Sequence, residues 1–82
     1  MIRVAKESKR SPTQILQQAV DYFGPDGLGL EVKHWDAASV ELHGGGGYVI
    51  VRIQPQRQKR MTAVEIESRE WDYDTERFLG EI

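Results

Sequence analysis

Tyr48-Val49-Ile50-Val51-Arg52-Ile53, followed after a polar stretch by Val64-Glu65-Ile66-Glu67-Ser68-Arg69, decides the fold class. Val49, Val51 and Ile53 alternate with Tyr48, Ile50 and Arg52, while Val64 and Ile66 alternate with Glu65, Glu67, Arg69 and Trp71. A period of two is the pattern of strands that bury one face against a core. The same parity predicts that Trp35, Tyr48, Ile50 and Trp71 share the opposite face, which is then too apolar for plain solvent surface.

Gln54 to Arg60 reads as a polar hairpin tip, with Pro55 expected to stop the ladder because it lacks an N–H. Upstream, Gly44 to Gly47 connects this strand to Val40 and Leu42, and Asp36-Ala37-Ala38 is short enough to reverse the chain into a preceding strand. In that strand Leu28, Leu30, Val32 and His34 share the core face, opposite Glu31, Lys33 and Trp35, after a turn at Asp26-Gly27.

Ser11-Pro12-Thr13-Gln14 is a helix start: Ser11 as N-cap, Pro12 where a missing N–H does no harm, and Gln14 completing a capping box. Ile15, Leu16, Ala19, Val20 and Phe23 then recur at helical spacing until Gly24-Pro25 ends the run. Ile2 and Val4 alternate with Arg3 and Ala5 in a short first strand, placed at a sheet edge where charged neighbours discourage aggregation. Asp72 or Asp74 is expected to cap a closing helix carrying Phe78 and Leu79. The expected order is β-α-β-β-β-β-α, a two-layer α+β domain over residues 1–82 with a mainly antiparallel sheet and both helices on one face. In element order alone this is similar to a half-repeat of the TATA-binding-protein fold and to small helix-grip domains. No motif residue accompanies the similarity, so it implies no function.

An 82-residue chain suits one core, since domains of this size bury only roughly 60% of their unfolded surface. Cysteine is absent, which removes disulfides, thiolate metal sites and thiol nucleophiles and fits a cytoplasmic protein. No stretch approaches the roughly 18 apolar residues of a membrane span, and the first ten residues lack the apolar segment of a secretory signal. The net charge of −2 is unevenly spread: Arg3, Lys6, Lys9 and Arg10 cluster early and Arg52, Arg57, Lys59 and Arg60 in the middle, whereas acid dominates the end. Such polarity can serve self-association.

Candidate chemistry is sparse. His43-Gly44-Gly45-Gly46-Gly47 looks superficially like an esterase oxyanion loop, but no G-x-S-x-G elbow accompanies it, and the glycines lead into a strand rather than a phosphate-binding helix. His34 and His43, with Asp36 or Glu41, have no recognised metal spacing and are expected on opposite sheet faces. Neither a catalytic constellation nor a cofactor is expected. Arg57, Lys59 and Arg60 are candidate nucleic-acid contacts, opposed by the acidic chain and the lack of interleaved aromatics. Trp35, Tyr48, Ile50 and Trp71 are the candidate interface or ligand contacts. These residues support a self-associating, dimeric interaction module of unknown pathway. The alternative is a small-ligand binder with a pocket on the curved sheet, lined by the aromatics and gated by Gly44 to Gly47.

Overall fold

The computed structural model describes Met1–Ile82 and contains five strands and two helices in the order β1 (Ile2–Ser8), α1 (Pro12–Phe23), β2 (Glu31–Trp35), β3 (Ser39–Gly44), β4 (Gly47–Gln56), β5 (Met61–Arg69) and α2 (Asp72–Leu79). One antiparallel sheet has the spatial order β1-β5-β4-β3-β2, so the first strand lies at one edge beside the last. The α+β class and the element order are those read from the sequence.

Alternation in β3, β4 and β5 works as its periodicity demands. Val40, Val51 and Ile66 stand in one row across the sheet, Leu42, Val49 and Ser68 in the next, and all six are buried. Against them pack Ile15, Leu16, Ala19 and Phe23 of α1 and Phe78 of α2. Phe23 and Phe78 meet with ring centroids 5.4 Å apart, so both helices cover the same face. Ser11 caps α1 as expected: its hydroxyl accepts the Gln14 N–H while the Gln14 side chain accepts the Ser11 N–H, an arrangement whose cap alone contributes about 1 kcal/mol.

Gly45 and Gly46 have φ of 58° and 80°, the positive pair that a two-residue type I′ hairpin requires. The four-glycine run is therefore a tight turn flanked by the paired Gly44 and Gly47. A Cβ on Gly47 would lie 2.0 Å from the Arg69 carbonyl oxygen, so the backbones approach too closely there for any side chain.

Several expectations are corrected. Pro55 does not end β4; it pairs with Thr62. The Ile53 N–H donates toward β3, to the Ala38 carbonyl, and two residues on the Pro55 nitrogen faces the same side, where β3 has already ended. The second strand starts at Glu31 rather than Leu28, because the Leu28 and Leu30 amides donate to Tyr22 and Phe23 carbonyls at the end of α1. Neither Asp72 nor Asp74 caps α2: Trp71 occupies the N-cap without a side-chain bond, and both aspartates lie in the first turn, where the helix dipole favours them.

The most consequential correction concerns β2. Val32 pairs with Leu42, yet His34 pairs with Glu41 and Trp35 with Val40, so Lys33 is the extra residue of a bulge. One inserted residue reverses the parity beyond it. His34, expected on the core face, lies on the open one, and Trp35 lies on the helix side beside Thr13, Leu16 and Gln17 of α1.

Candidate interaction surface

The face of the sheet away from the helices is uncovered by any element of the chain. Its central row reads Arg3, Glu67, Ile50, Glu41 and His34, and a neighbouring row reads Arg69, Tyr48, His43 and Glu31. Ile50 is thus the sole large aliphatic in that central row, half-buried between two glutamates. The face is polar, which corrects the expectation of a broad apolar patch.

Glu67 organises its charge. Its carboxylate accepts from Arg3 Nη2 at 3.0 Å, from the Tyr48 hydroxyl at 3.0 Å and from Arg52 Nη1 at 3.4 Å. The Arg3 bond first, and the Tyr48 bond next, hold the Glu67 carboxyl below its ordinary range, and the same carboxylate pushes the Tyr48 phenol and the Arg3 guanidinium up. Beside this web His43 Nε2 and Glu41 share a 2.6 Å hydrogen bond, and the His43 and Tyr48 rings lie 6.0 Å apart. His34 Nε2 meets Asp36 at 2.7 Å. The His34–Asp36 pair is solvent-exposed and the His43–Glu41 pair half-buried, and no group of three His, Asp or Glu is placed to hold a metal ion.

Asp36 also shapes the β2–β3 turn, since its Oδ1 accepts the Ala38 and Ser39 amides at 2.8 and 2.9 Å. The Ala38 amide, followed by His34, lowers the Asp36 carboxyl from 3.8 to about 2. A carboxyl whose folded value is depressed contributes stability that is complete above its unfolded value and is lost as pH falls through the folded one. The turn is therefore expected to weaken between pH of about 4 and 2, and NMR titration of the Asp36 carboxyl should give a midpoint near 2. A midpoint at the ordinary 3.8 would show that the turn bonds do not form in solution.

The four candidate contacts do not share one surface. Tyr48 and Ile50 lie on the open face, half-buried. Trp35 is 46% exposed, at the sheet margin on the helix side. Trp71 lies beyond the end of β5, where Glu70 adopts a φ of 69° and breaks the alternation. Its indole packs against the core, and Nε1 donates to the Gly44 carbonyl at 2.8 Å. The aromatics consequently do not converge on a pocket. A depression of about 630 Å³ does lie on the open face, over the small side chains of Ala5 and Ala63 and rimmed by Glu7, Arg52, Gln54 and Glu65.

Arg57, Lys59 and Arg60 form the tight connection between β4 and β5, with Lys59 Nζ 3.4 Å from Glu7. The fold adds what spacing along the chain did not reveal. Lys9 and Arg10, from the loop after β1, line the same concavity of about 370 Å³ as Arg57 and Arg60, and no carboxylate lines it. Lys9 and Arg10 of the early basic cluster share one end of the molecule with the tip, whereas Arg3 lies toward the other end of β1, beside Glu67.

β1 lies at a sheet edge, as its charged alternation led one to expect. It is an outermost strand of seven residues with no bulge, whereas the opposite edge strand, β2, has five residues and is interrupted at Lys33. No protein-family model, curated protein or solved structure matches the chain. No helix is long and apolar enough to cross a membrane.

Proposed function

We propose that the chain is a self-associating interaction module that works through its sheet. The observation supporting this reading is the long, regular β1 edge beside an uncovered sheet face. A dry face-to-face contact wants an apolar centre, and here Ile50 stands between glutamates while Tyr48 is tied to Glu67. Backbone pairing at an edge needs no such patch, because unpaired N–H and C=O groups supply the attraction. The proposal assigns no catalytic activity.

Analytical ultracentrifugation tests it. A species of twice the 9.4 kDa chain mass is expected at micromolar concentration, dissociating on dilution. A strictly monomeric mass at several hundred micromolar would remove the reading.

The basic end favours a second reading, contact with a polyanion such as single-stranded nucleic acid, through Arg57, Lys59 and Arg60 joined by Lys9 and Arg10. Fluorescence anisotropy with a labelled oligonucleotide would register it as an affinity that falls with salt and disappears when Arg57, Lys59 and Arg60 become glutamine. Binding unchanged by those substitutions would exclude this surface.

A further inference from the structure

The outer edge of β1 can be assigned residue by residue. The Ile53 amide donates to the Ala38 carbonyl at 2.9 Å, so Ile53 turns its backbone polar groups toward β3 and Arg52 turns its own toward β5. The β4–β5 and β5–β1 registers contain no shift. Alternation carried across them turns Glu65 toward β4, Val64 and Ile66 toward β1, and their partners Lys6 and Val4 toward β5. Arg3, Ala5 and Glu7 are left with amides and carbonyls directed out of the sheet, and their side chains lie on the open face.

From this arrangement we propose that β1 pairs antiparallel with β1 of a second copy about a two-fold axis at Ala5, Arg3 of each chain facing the partner's Glu7. The inference rests on the self-association proposed above and specifies its register. Ala5 is the midpoint of Ile2–Ser8, so this axis pairs the whole strand with itself. It sets the three outward-facing residues opposite one another: Arg3 with the partner's Glu7, Ala5 with the partner's Ala5, and Glu7 with the partner's Arg3. Each such pair exchanges two N–H···O bonds.

Side chains select the same register. The two alanines that meet at the axis present no bulk, and opposite charges stand directly across from each other on both sides of it. Arg3 already donates to Glu67 through Nη2, but a guanidinium carries five N–H donors and retains some for a second carboxylate. Moving the axis to Lys6 would set Arg3 against the partner's Lys9; moving it to Val4 would set Arg3 against the partner's Ala5. Both lose the charge pairing and shorten the overlap. Charges on an edge strand ordinarily deter pairing with other chains. Here their order along β1 deters unrelated strands while complementing a reversed copy of itself. β2 offers no equivalent, because its ladder is broken at Lys33.

Sedimentation equilibrium on Arg3→Glu, on Glu7→Arg and on their equimolar mixture tests the register, with circular dichroism confirming that each chain is folded. Each variant alone places two like-charged pairs across the axis, so its dimer is expected to dissociate about tenfold more readily than the unsubstituted one. The mixture restores both oppositely charged pairs and should recover the original affinity as a heterodimer. Ala5→Pro provides an independent arm, since its missing N–H would face outward and spare the β1–β5 ladder. This variant should stay folded and become monomeric. An unsubstituted chain that is monomeric at several hundred micromolar overturns both self-association and its register. Dimers that persist in Ala5→Pro, or that ignore both charge reversals, or singly weakened variants that fail to recover on mixing, overturn the register and leave self-association standing.

Discussion

Replacing Phe78 with alanine is expected to cost about 3–5 kcal/mol, the range for deleting a buried aromatic ring. Phe78 is fully buried and is the apolar anchor of α2, whose other buried residue is Thr75. Its ring contacts Phe23 and Tyr22 at centroid separations of 5.4 and 5.6 Å, tying α2 to α1 above the sheet. Single domains are stable by about 5–15 kcal/mol and small ones lie toward the lower end, so the loss consumes most of the margin. The thermal midpoint should fall by roughly 15 °C or more, or the cooperative transition should vanish. A urea melt within about 1 kcal/mol of the unsubstituted chain would show that α2 is not held through this ring. Thr75→Val on the same helix is expected to have the opposite sign. The Thr75 hydroxyl is buried with no hydrogen-bond partner, so exchanging it for a methyl removes a desolvation cost while keeping the shape.

The second large effect is expected at Trp71. Its indole packs on the core and lies over Gly45, where an added Cβ would come within 2.8 Å of the ring, and its N–H satisfies the Gly44 carbonyl. Trp71→Ala should therefore destabilise the monomer by about 2–4 kcal/mol. Trp71→Phe retains much of the packing and loses the hydrogen bond, which places it between, at about 1–2 kcal/mol. Chemical denaturation at two or more protein concentrations separates folding from association. If Trp71→Ala weakened dimerisation while leaving the denaturation midpoint of the monomer unchanged, the indole would be a contact residue after all.

Trp35 and Trp71 also mark where reading by alternation stops. The Ser11 capping box and the buried rows of β3, β4 and β5 were legible because each is dictated by residues a few positions apart. The faces of the two tryptophans were not, since each lies beyond one local irregularity: the extra residue Lys33 before Trp35, and the positive φ of Glu70 before Trp71. Neither residue type announces such a departure, and a single break of period inverts every later assignment. The open face suffered most from this, because its apparent apolarity depended on both indoles. Tyr48 and Ile50 were placed correctly. The basic end was half legible: Lys9 and Arg10 were visible in a cluster with Arg3 and Lys6, but only the folded chain sets these two beside Arg57 and Arg60 and leaves Arg3 on Glu67.

The position of β1 beside β5 has a consequence for how the chain reaches its native state. Every other strand pair in the sheet is formed by strands consecutive in sequence, whereas joining Ile2 to Ser68 closes nearly the whole chain into one loop. Closing so long a loop carries an entropic cost that is offset only after a docking surface exists. β2 to β5 can zip through successive short turns and offer that surface. During ribosomal synthesis β1 emerges before β2, β3 and β4, yet its partner β5 is the last of the five strands to be made. Of the five strands in this sheet, the first made must wait for the last.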